Sequence, residues 1–193
     1  KNGIGPITKF DTTDFKAKLA AEVRDFDPKL YMEKPQILHS DLYAQLAMAA
    51  AVQAMEDSSI AGTVPGERMG VYIGTGIGGI QTFEAEHSKL LNKGPRRVSA
   101  YFIPMMIANI ASSMIAIRYG CMGPATPAVT ACASGSNAIG EALRVVRHGY
   151  ADAMICGGAE ATVTPLAAAG FCNMQALSTS EDPDAASLPF DAR

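Results

Sequence analysis

Apolar residues recur at helical spacing over 40–57, where Leu42 and Leu46 fall on one face together with several alanines. Residues three or four apart lie on the same side of a helix, so this spacing predicts a helix over 40–57. Ser40 and Asp41 precede the first apolar position and are suited to the N-cap, because their side chains accept hydrogen bonds from the first free N–H groups of a helix.

Short, nearly continuous apolar runs occur elsewhere and are typical of strands covered on both faces. Three strands are predicted, over 69–73, 126–130 and 152–157. Helices are predicted over 82–91, 104–119, from just after residue 132 to 148, and over 165–171. Before residue 40 there is one weaker helical candidate, over 13–23, and residues 178–192 contain no predicted element. Strands that alternate with helices predict an α/β fold with at least partly parallel pairing.

The composition is that of a globular protein, with 48% hydrophobic and 18% charged residues over 193 positions. This length suits one structural unit, because no linker rich in Pro or Ser divides it. The net charge is -3, and the basic residues are scattered apart from the pair Arg96 and Arg97. Such a charge pattern argues against binding of nucleic acid.

The longest apolar stretch, 103–117, is interrupted by polar residues and is shorter than the ~20 residues that a membrane span needs. The N-terminus has no charged segment followed by an apolar one, so we expect a cytoplasmic protein that does not bind membranes. The four cysteines show no Cys-x-x-Cys spacing, which argues against a bound metal.

A glycine-rich segment follows the first predicted strand and reads Gly74-Thr75-Gly76-Ile77-Gly78-Gly79. Its Gly-x-Gly-x-x-Gly spacing matches the dinucleotide-binding fingerprint, which also requires an acidic residue ~20 positions later at the end of a second strand. That window, 94–99, has no acidic residue and no predicted strand. The segment is therefore interpreted as a tight turn with close backbone contacts, and no cofactor is expected.

Cys132 lies where the second predicted strand turns into a helix, within Ala131-Cys132-Ala133-Ser134-Gly135. In the first turn of a helix, free N–H groups and the helix dipole favour an anionic nucleophile. The small neighbours leave room for a substrate. The residues alone leave two interpretations open, a nucleophile or a small side chain in the core.

Several motifs together resemble the β-ketoacyl-carrier-protein synthase family, of the chain-elongating kind. The segment 130–140, which contains Cys132, is similar to the nucleophile motif of that family. Further segments match it in order and spacing: 74–79, 94–97, 107–109, 119–124, 156–160, 176–178 and 189–191. The resemblance covers nearly the whole chain beyond residue 40. It implies a thiolase-like fold, a mixed, mostly parallel sheet with helices on both faces, as one half of a layered αβαβα architecture.

The resemblance also implies a function, in which Cys132 takes an acyl group from an acyl carrier protein and malonyl-carrier protein is then decarboxylated to attack it. It implies a homodimeric enzyme of fatty-acid elongation without cofactor or metal. The residues assigned roles in this way are Cys132 as nucleophile, Ile77, Ile107 and Phe171 as acyl-chain contacts, and Arg96 and Arg97 as the carrier-protein docking site.

Two departures from the family pattern matter. Residues 3–8 match a segment that a strand and a helix precede in the family, so we expect residues 1–193 to form an N-terminal half without its first strand. The general-base histidines of the family lie in a C-terminal half, and His39, His87 and His148 match none of their positions. The chain alone is therefore expected to be inactive.

Three alternatives share the implied fold. One is a non-catalytic chain-length partner, against which Cys132 argues because such subunits lack the cysteine. Another is a polyketide ketosynthase half. The third is a thiolase or a starter synthase that works without carrier-bound primers, although the segments around Gly76 and Asn109 look more like the elongating enzymes.

Overall fold

A computed structural model of the chain describes residues 2–192. Five strands and seven helices of the α type occur among these residues, together with short 3-10 turns. In chain order they are β1 (Ile4–Pro6), β2 (Leu19–Ala21), α1 (Lys34–Leu38), α2 (Leu42–Ser58), β3 (Met69–Gly74), α3 (Ile80–Lys93), α4 (Phe102–Met106), α5 (Ile110–Tyr119), β4 (Ala125–Ala128), α6 (Ser134–Arg147), β5 (Ala153–Gly158) and α7 (Pro165–Asn173).

The chain divides into two compact units, one comprising residues 27–161 and the other residues 2–26 with 162–192. In the first unit, three strands form a parallel sheet in the order β4-β3-β5. Val71 of β3 lies opposite Ala125 of β4 and Ile155 of β5. Parallel strands need crossover connections, and helices supply them here, which confirms the predicted α/β class.

The hydrophobic core of this unit lies on one face of the sheet. Alternate residues of β3, such as Val71 and Ile73, point to this face and pack against α2 and α5. Tyr43, Met48 and Ile115 are completely buried there. Helix α2 begins after the N-cap Asp41, so the predicted helix and its cap are confirmed.

The first turn of α2 is connected to two other elements. One carboxylate oxygen of Asp41 accepts from the Tyr43 N–H at 3.2 Å, and the other accepts from the N–H and hydroxyl of Thr82, each at 2.8 Å. Asp41 therefore caps both α2 and α3. The buried Tyr43 hydroxyl donates to the carbonyl oxygen of Ile107 at 2.6 Å. Burial raises the pKa of Tyr43 well above its usual range, so this hydroxyl remains a donor.

The hydrogen bond from Tyr43 falls at a break in a predicted helix. The apolar pattern predicts one helix over 104–119, but the structure contains two, α4 and α5, separated by residues 107–109. Ile107 is extended there, with φ -68° and ψ 143°. The prediction of one helix was wrong because the spacing of apolar residues gives no information on the hydrogen bond between the Ile107 carbonyl and the distant Tyr43 side chain. Gly120, which follows the last residue of α5, has φ 62° and ends this helix as predicted.

The other face of the sheet carries α6, in very close contact. A Cβ atom built on Gly74 would lie 2.2 Å from the carbonyl oxygen of Ser134, and one built on Gly158 would lie 2.8 Å from the Cα of Gly135. Only hydrogen at these positions permits the first turn of α6 to approach β3 and β5. Helices therefore cover both faces of the sheet, as predicted.

The second unit contains a two-stranded antiparallel sheet of β1 and β2, with Ile4 opposite Ala21. The weak prediction of a helix over 13–23 was wrong, because β2 occupies part of this segment. The pair is held by Glu22, whose carboxylate accepts from the N–H and hydroxyl of Thr8 at 3.0 and 2.7 Å. Helix α7 begins after Thr164, whose hydroxyl accepts from the Ala167 N–H.

Over residues 2–192, no helix has both the length and the apolarity that crossing a membrane requires.

The glycine contact beneath α6 predicts an asymmetric effect of alanine substitutions. Gly74→Ala forces a Cβ into backbone atoms that cannot rotate away, and we expect it to destabilise the protein by roughly 3 kcal/mol or more. Gly140→Ala, at an exposed position of α6, meets no atom within 4 Å and should be neutral or stabilising by up to about 1 kcal/mol. Urea denaturation of both variants measures the difference, and equal stabilities would contradict the close-contact argument.

Candidate active site

Three segments converge at the carboxyl edge of the parallel sheet. Gly74 pairs with Ala128 and with Gly158, so β3, β4 and β5 end level with one another. The segments that follow them are the glycine-rich loop 75–79, the turn 129–133 and the residues up to Glu160. In open α/β sheets this edge is where ligands bind, since the chain turns there expose backbone groups and side chains.

Cys132 lies in the turn that joins β4 to α6. Residues Ala131–Ala133 form one turn of 3-10 helix, and α6 begins directly after it at Ser134. Ala131 has φ 51°, in the left-handed region that non-glycine residues rarely adopt. Cys132 is an exposed residue. The structure therefore places Cys132 at a strand-to-helix turn, as predicted, in a position open to solvent.

Two polar side chains from the first turn of α6 hold this turn. The buried Ser134 hydroxyl accepts from the Thr130 N–H at 2.9 Å and lies 2.6 Å from the Ala131 carbonyl oxygen, to which it donates. The Asn137 side-chain amide donates to the Thr130 hydroxyl at 2.8 Å. These contacts connect the two ends of residues 129–133, which we call the nucleophile turn after the role predicted for Cys132, and they hold Ala131 in its uncommon conformation.

The glycine-rich loop is held by a carboxylate. Glu160 accepts from the N–H groups of Gly76 and Ile77 at 2.7 and 3.2 Å, and from the Thr75 hydroxyl at 3.2 Å. The same hydroxyl accepts from the Gly78 N–H at 3.1 Å. A dinucleotide fingerprint presents such N–H groups to a phosphate, whereas here a protein anion occupies them. This arrangement supports the interpretation of 74–79 as a tight turn.

The loop is packed on two sides by backbone. A Cβ atom built on Gly76 would lie 3.5 Å from the Ala131 carbonyl oxygen, and one built on Gly79 would lie 2.4 Å from the Met105 carbonyl oxygen. The loop thus lies between the nucleophile turn and the end of α4. Ile77 on this loop is 43% exposed, and Ile107, just beyond α4, is 36% exposed. The structure therefore brings the segments of Ile77, Ile107 and Cys132 together.

Three further residues were assigned from the sequence. Arg96 and Arg97 are exposed in a 3-10 turn, Pro95–Arg97, that follows the end of α3 at Gly94. Phe171 is half-buried in α7, which belongs to the second compact unit. Nothing in the geometry assigns a role to these three residues.

Helix α6 turns its small residues toward the sheet. The structure buries the small residues Ser134, Ala138 and Ala142, and leaves Ile139 and Leu143 55% and 54% exposed. Small residues face the sheet because only they permit the glycine contact, so the larger ones point outward.

Cys121, His39 and His148 are candidates for chemistry by residue type, but their surroundings differ from that of Cys132. Cys121 is buried, and burial raises the pKa of its thiol, which disfavours the thiolate. His39 stacks on Tyr101 with ring centroids 3.6 Å apart, and Nδ1 of His148 lies 2.7 Å from the Arg144 carbonyl oxygen. Residues 2–192 contain no cluster of His, Cys, Asp and Glu able to hold a metal ion.

The sequence analysis assigned no hydrogen-bonding role to Ser134 or Glu160, although both lie in segments that match the family, 130–140 and 156–160. A usable signal existed for Glu160, since it is an acidic residue just beyond a buried strand that runs parallel to the glycine-loop strand. Its hydrogen bonds to Gly76 and Ile77 depend on the strand order, which the sequence alone does not reveal.

Comparisons with family models and with curated proteins identify the same family. The family model described as the β-ketoacyl synthase N-terminal domain matches residues 1–192. The 3-oxoacyl-acyl-carrier-protein synthase 2 of Synechocystis sp. is 48% identical over 193 residues, covering 99% of this chain and 46% of that protein. The chain therefore spans about half the length of the curated relatives it matches.

Solved structures agree. A β-ketoacyl synthase from Burkholderia phymatum superposes with a TM-score of 0.86 at 26% identity, over 100% of this chain and 48% of that one. The ishigamide ketosynthase/chain length factor gives a TM-score of 0.82 at 30% identity, over 94% of this chain and 45% of that one. Together with the α/β architecture, these matches confirm the thiolase-like ketosynthase fold.

The hydrogen bonds of Ser134 predict that its hydroxyl supports the nucleophile turn. Ser134→Ala leaves the Thr130 N–H without its acceptor, and we expect a loss of stability of about 1–3 kcal/mol. The rate of Cys132 alkylation by iodoacetamide should change as the turn loosens. Ser136→Ala, at an exposed position of the same helix, is the matched control and should stay within about 0.5 kcal/mol.

Urea denaturation and peptide mass spectrometry measure the two effects. If Ser134→Ala and Ser136→Ala behave alike in both, the hydroxyl does not hold the turn.

Proposed function

Because the chain belongs to the β-ketoacyl synthase family and corresponds to its N-terminal domain, we propose that it carries the acyl-accepting half of a 3-oxoacyl-acyl-carrier-protein synthase of fatty-acid elongation. The observation that carries the proposal is the exposed Cys132, held in a strained turn at the start of α6. The similarity to a 3-oxoacyl-acyl-carrier-protein synthase 2 supports the choice of substrate class.

In the proposed first step, the Cys132 thiolate attacks the carbonyl carbon of an acyl thioester on the phosphopantetheine of an acyl carrier protein. A bond forms from Sγ to that carbon, and the carrier thiolate leaves. Exchange of one thioester for another is close to neutral in energy, so an accessible cysteine at a helix start suffices as nucleophile. The backbone N–H of Cys132 is the proposed donor to the tetrahedral oxyanion.

In the proposed second step, malonyl-carrier protein loses CO₂ and the resulting enolate attacks the acyl carbon on Cys132, which releases the thiolate. This step needs donors that stabilise an enolate. His39 stacks on Tyr101 and His148 contacts the carbonyl oxygen of Arg144, so neither histidine is assigned as such a donor. The donors are therefore assigned to a C-terminal half, as in the family that the chain resembles.

The exposed face of α6 supports such a half. Ile139 and Leu143 form an apolar strip on a helix whose other side touches the sheet, and exposed apolar strips of this kind mark surfaces that another element covers. We assign the cover to the C-terminal half of the same enzyme. A cytoplasmic homodimer is also proposed, and β4 as an edge strand offers unpaired backbone groups to a second copy.

Ile77, Ile107 and Phe171 are the proposed contacts of the acyl chain. For the first two, the packing of loop 75–79 between the nucleophile turn and the end of α4 supports the assignment. For Phe171 the support is the family resemblance of its position.

A polyketide ketosynthase is the second candidate, favoured by the similarity to the ishigamide ketosynthase/chain length factor. This candidate comes second because the chain shares more identical residues with the 3-oxoacyl-acyl-carrier-protein synthase 2 of Synechocystis sp.. A product analysis distinguishes the two, because elongation of a saturated primer by one malonyl unit is expected here and repeated condensation without reduction is expected of the alternative.

The central test uses a completed synthase, in which residues 1–193 are followed by the C-terminal half of the Synechocystis protein. It should condense hexanoyl- and malonyl-carrier protein with release of CO₂, and Cys132→Ala should abolish condensation, whereas Cys156→Ala should retain it. Residues 1–193 alone should be alkylated at Cys132 without releasing CO₂, since each missing oxyanion donor alone costs ~10²–10³ in rate.

Mass spectrometry and ¹⁴CO₂ capture provide the measurements. Condensation by residues 1–193 without an added polypeptide would refute the division of roles, and condensation by the Cys132→Ala synthase would refute the nucleophile.

Arg96 and Arg97 are the proposed docking site for the acidic carrier protein, because both are exposed and they are neighbours in the 3-10 turn Pro95–Arg97. Reversal of both charges to Glu should slow carrier-protein association about tenfold at low salt and flatten its dependence on ionic strength. Lys9→Glu with Lys16→Glu, at exposed positions, makes the same change in net charge and should leave association almost unaltered. Stopped-flow measurement at several salt concentrations tests this, and an unchanged salt slope in the arginine variant would exclude docking there.

A further inference from the structure

Glu160 lies two residues beyond the end of β5, with its carboxylate against the loop that follows β3. One carboxylate oxygen accepts from both Gly76 and Ile77, and the other accepts from the Thr75 hydroxyl. Three consecutive residues of the loop are therefore bound by a single side chain. The Glu160 residue is solvent-exposed, so a hydrophobic surrounding does not explain its position.

The loop needs such a tether. Three of its five residues, 75–79, are glycines, which have little conformational preference of their own. Its contacts at Gly76 and Gly79 are with the backbone of the nucleophile turn and of α4, and they limit how closely the loop approaches without fixing the direction of a side chain. The N–H groups of Gly76 and Ile77 belong to the two peptides that meet at the Gly76 Cα. Hydrogen bonds to both N–H groups fix the planes of these peptides, and hence the direction in which the backbone enters Ile77.

We propose that Glu160 is a positioning residue that affects which acyl-chain lengths the enzyme accepts. By holding the backbone of Gly76 and Ile77, it determines the position of the Ile77 side chain beside the Cys132 turn. This inference rests on the proposed function, because Ile77 selects chains only if Cys132 takes acyl groups. Glu160 itself contacts neither the acyl group nor the thiol in this role.

The hydrogen-bond pattern explains why a carboxylate suits this position. Both of its oxygens accept, so it satisfies a hydroxyl and two N–H groups at once, and hydrogen bonds to a charged acceptor are stronger than neutral ones. Glutamine retains one oxygen for Gly76 and Ile77, so Glu160→Gln should keep much of the positioning. Alanine removes all three hydrogen bonds, and aspartate is one methylene too short to keep them.

A double-mutant cycle in the completed synthase tests the inference. The measured quantity is the ratio of Cys132 acylation rates for tetradecanoyl- and hexanoyl-carrier protein. In the native background, Ile77→Phe should lower this ratio roughly tenfold, because a larger side chain obstructs long chains more than short ones. In the Glu160→Ala background, the same substitution should lower it less than about threefold, because the side chain at 77 is no longer held.

Controls separate positioning from loss of stability. Glu160→Gln should restore most of the effect of Ile77→Phe, and Glu141→Ala, which removes an exposed glutamate on α6 paired with Arg144, should not alter it. If Glu160→Ala does not fold, Glu160→Asp takes its place with the same expected result. As a reading independent of activity, hydrogen exchange over residues 74–80 should be faster in the Ala or Asp variant than in the Gln variant.

The outcomes are distinguishable. An equal effect of Ile77→Phe in both backgrounds, or unchanged exchange over 74–80, overturns the role of Glu160 while the proposed function stands. An equal loss for both chain lengths in the native background overturns the role of Ile77, and that of Glu160 with it. Absence of any acylation at Cys132 in the unaltered completed synthase is a failure of the proposed function itself.

Discussion

The contact of helix α6 with the sheet, backbone against backbone, is the constraint on which the site depends. Gly74 and Gly158 on the strands and Gly135 on the helix leave no space for a side chain between them. Because the helix packs directly on the strands, its first residue sets the position of the preceding turn above the sheet. The position of Cys132 relative to the carboxyl edge of the sheet follows from this contact.

Polar groups then fix what the glycines leave free. Ser134 and Asn137 act on the nucleophile turn from one side, and Glu160 acts on the glycine-rich loop from the other. Ser134 and Glu160 accept from backbone N–H groups in the segments that follow β4 and β3, where regular secondary structure leaves such groups unpaired, and Asn137 donates to the Thr130 hydroxyl. The two loops are thus defined by hydrogen bonds, whereas the elements that carry them are defined by packing.

The sequence sufficed for the features that depend on local patterns. Helix α2, strand β3 and the position of Cys132 at a strand-to-helix turn were predicted because periodicity, turn residues and caps are properties of neighbouring residues. The break at Ile107 was missed because the hydrogen bond found there, from the Tyr43 hydroxyl, joins residues 64 positions apart. The strand β2 was missed because its pairing with β1 determines its conformation. The glycine contact under α6, which decides that Ala138 and Ala142 face the sheet, depends on strand pairing that the local pattern does not reveal.

The first turn of α2 links parts of the molecule that are distant in the sequence. Asp41 satisfies N–H groups at the starts of two helices, and the neighbouring Tyr43 satisfies a carbonyl at the junction of two others. Fraying at this turn would release all of these partners together, so the start of α3 and the junction of α4 with α5 open as one cooperative unit. Order near the carboxyl edge of the sheet is consequently a collective property, which helix α2 maintains although it contributes no residue to the candidate site.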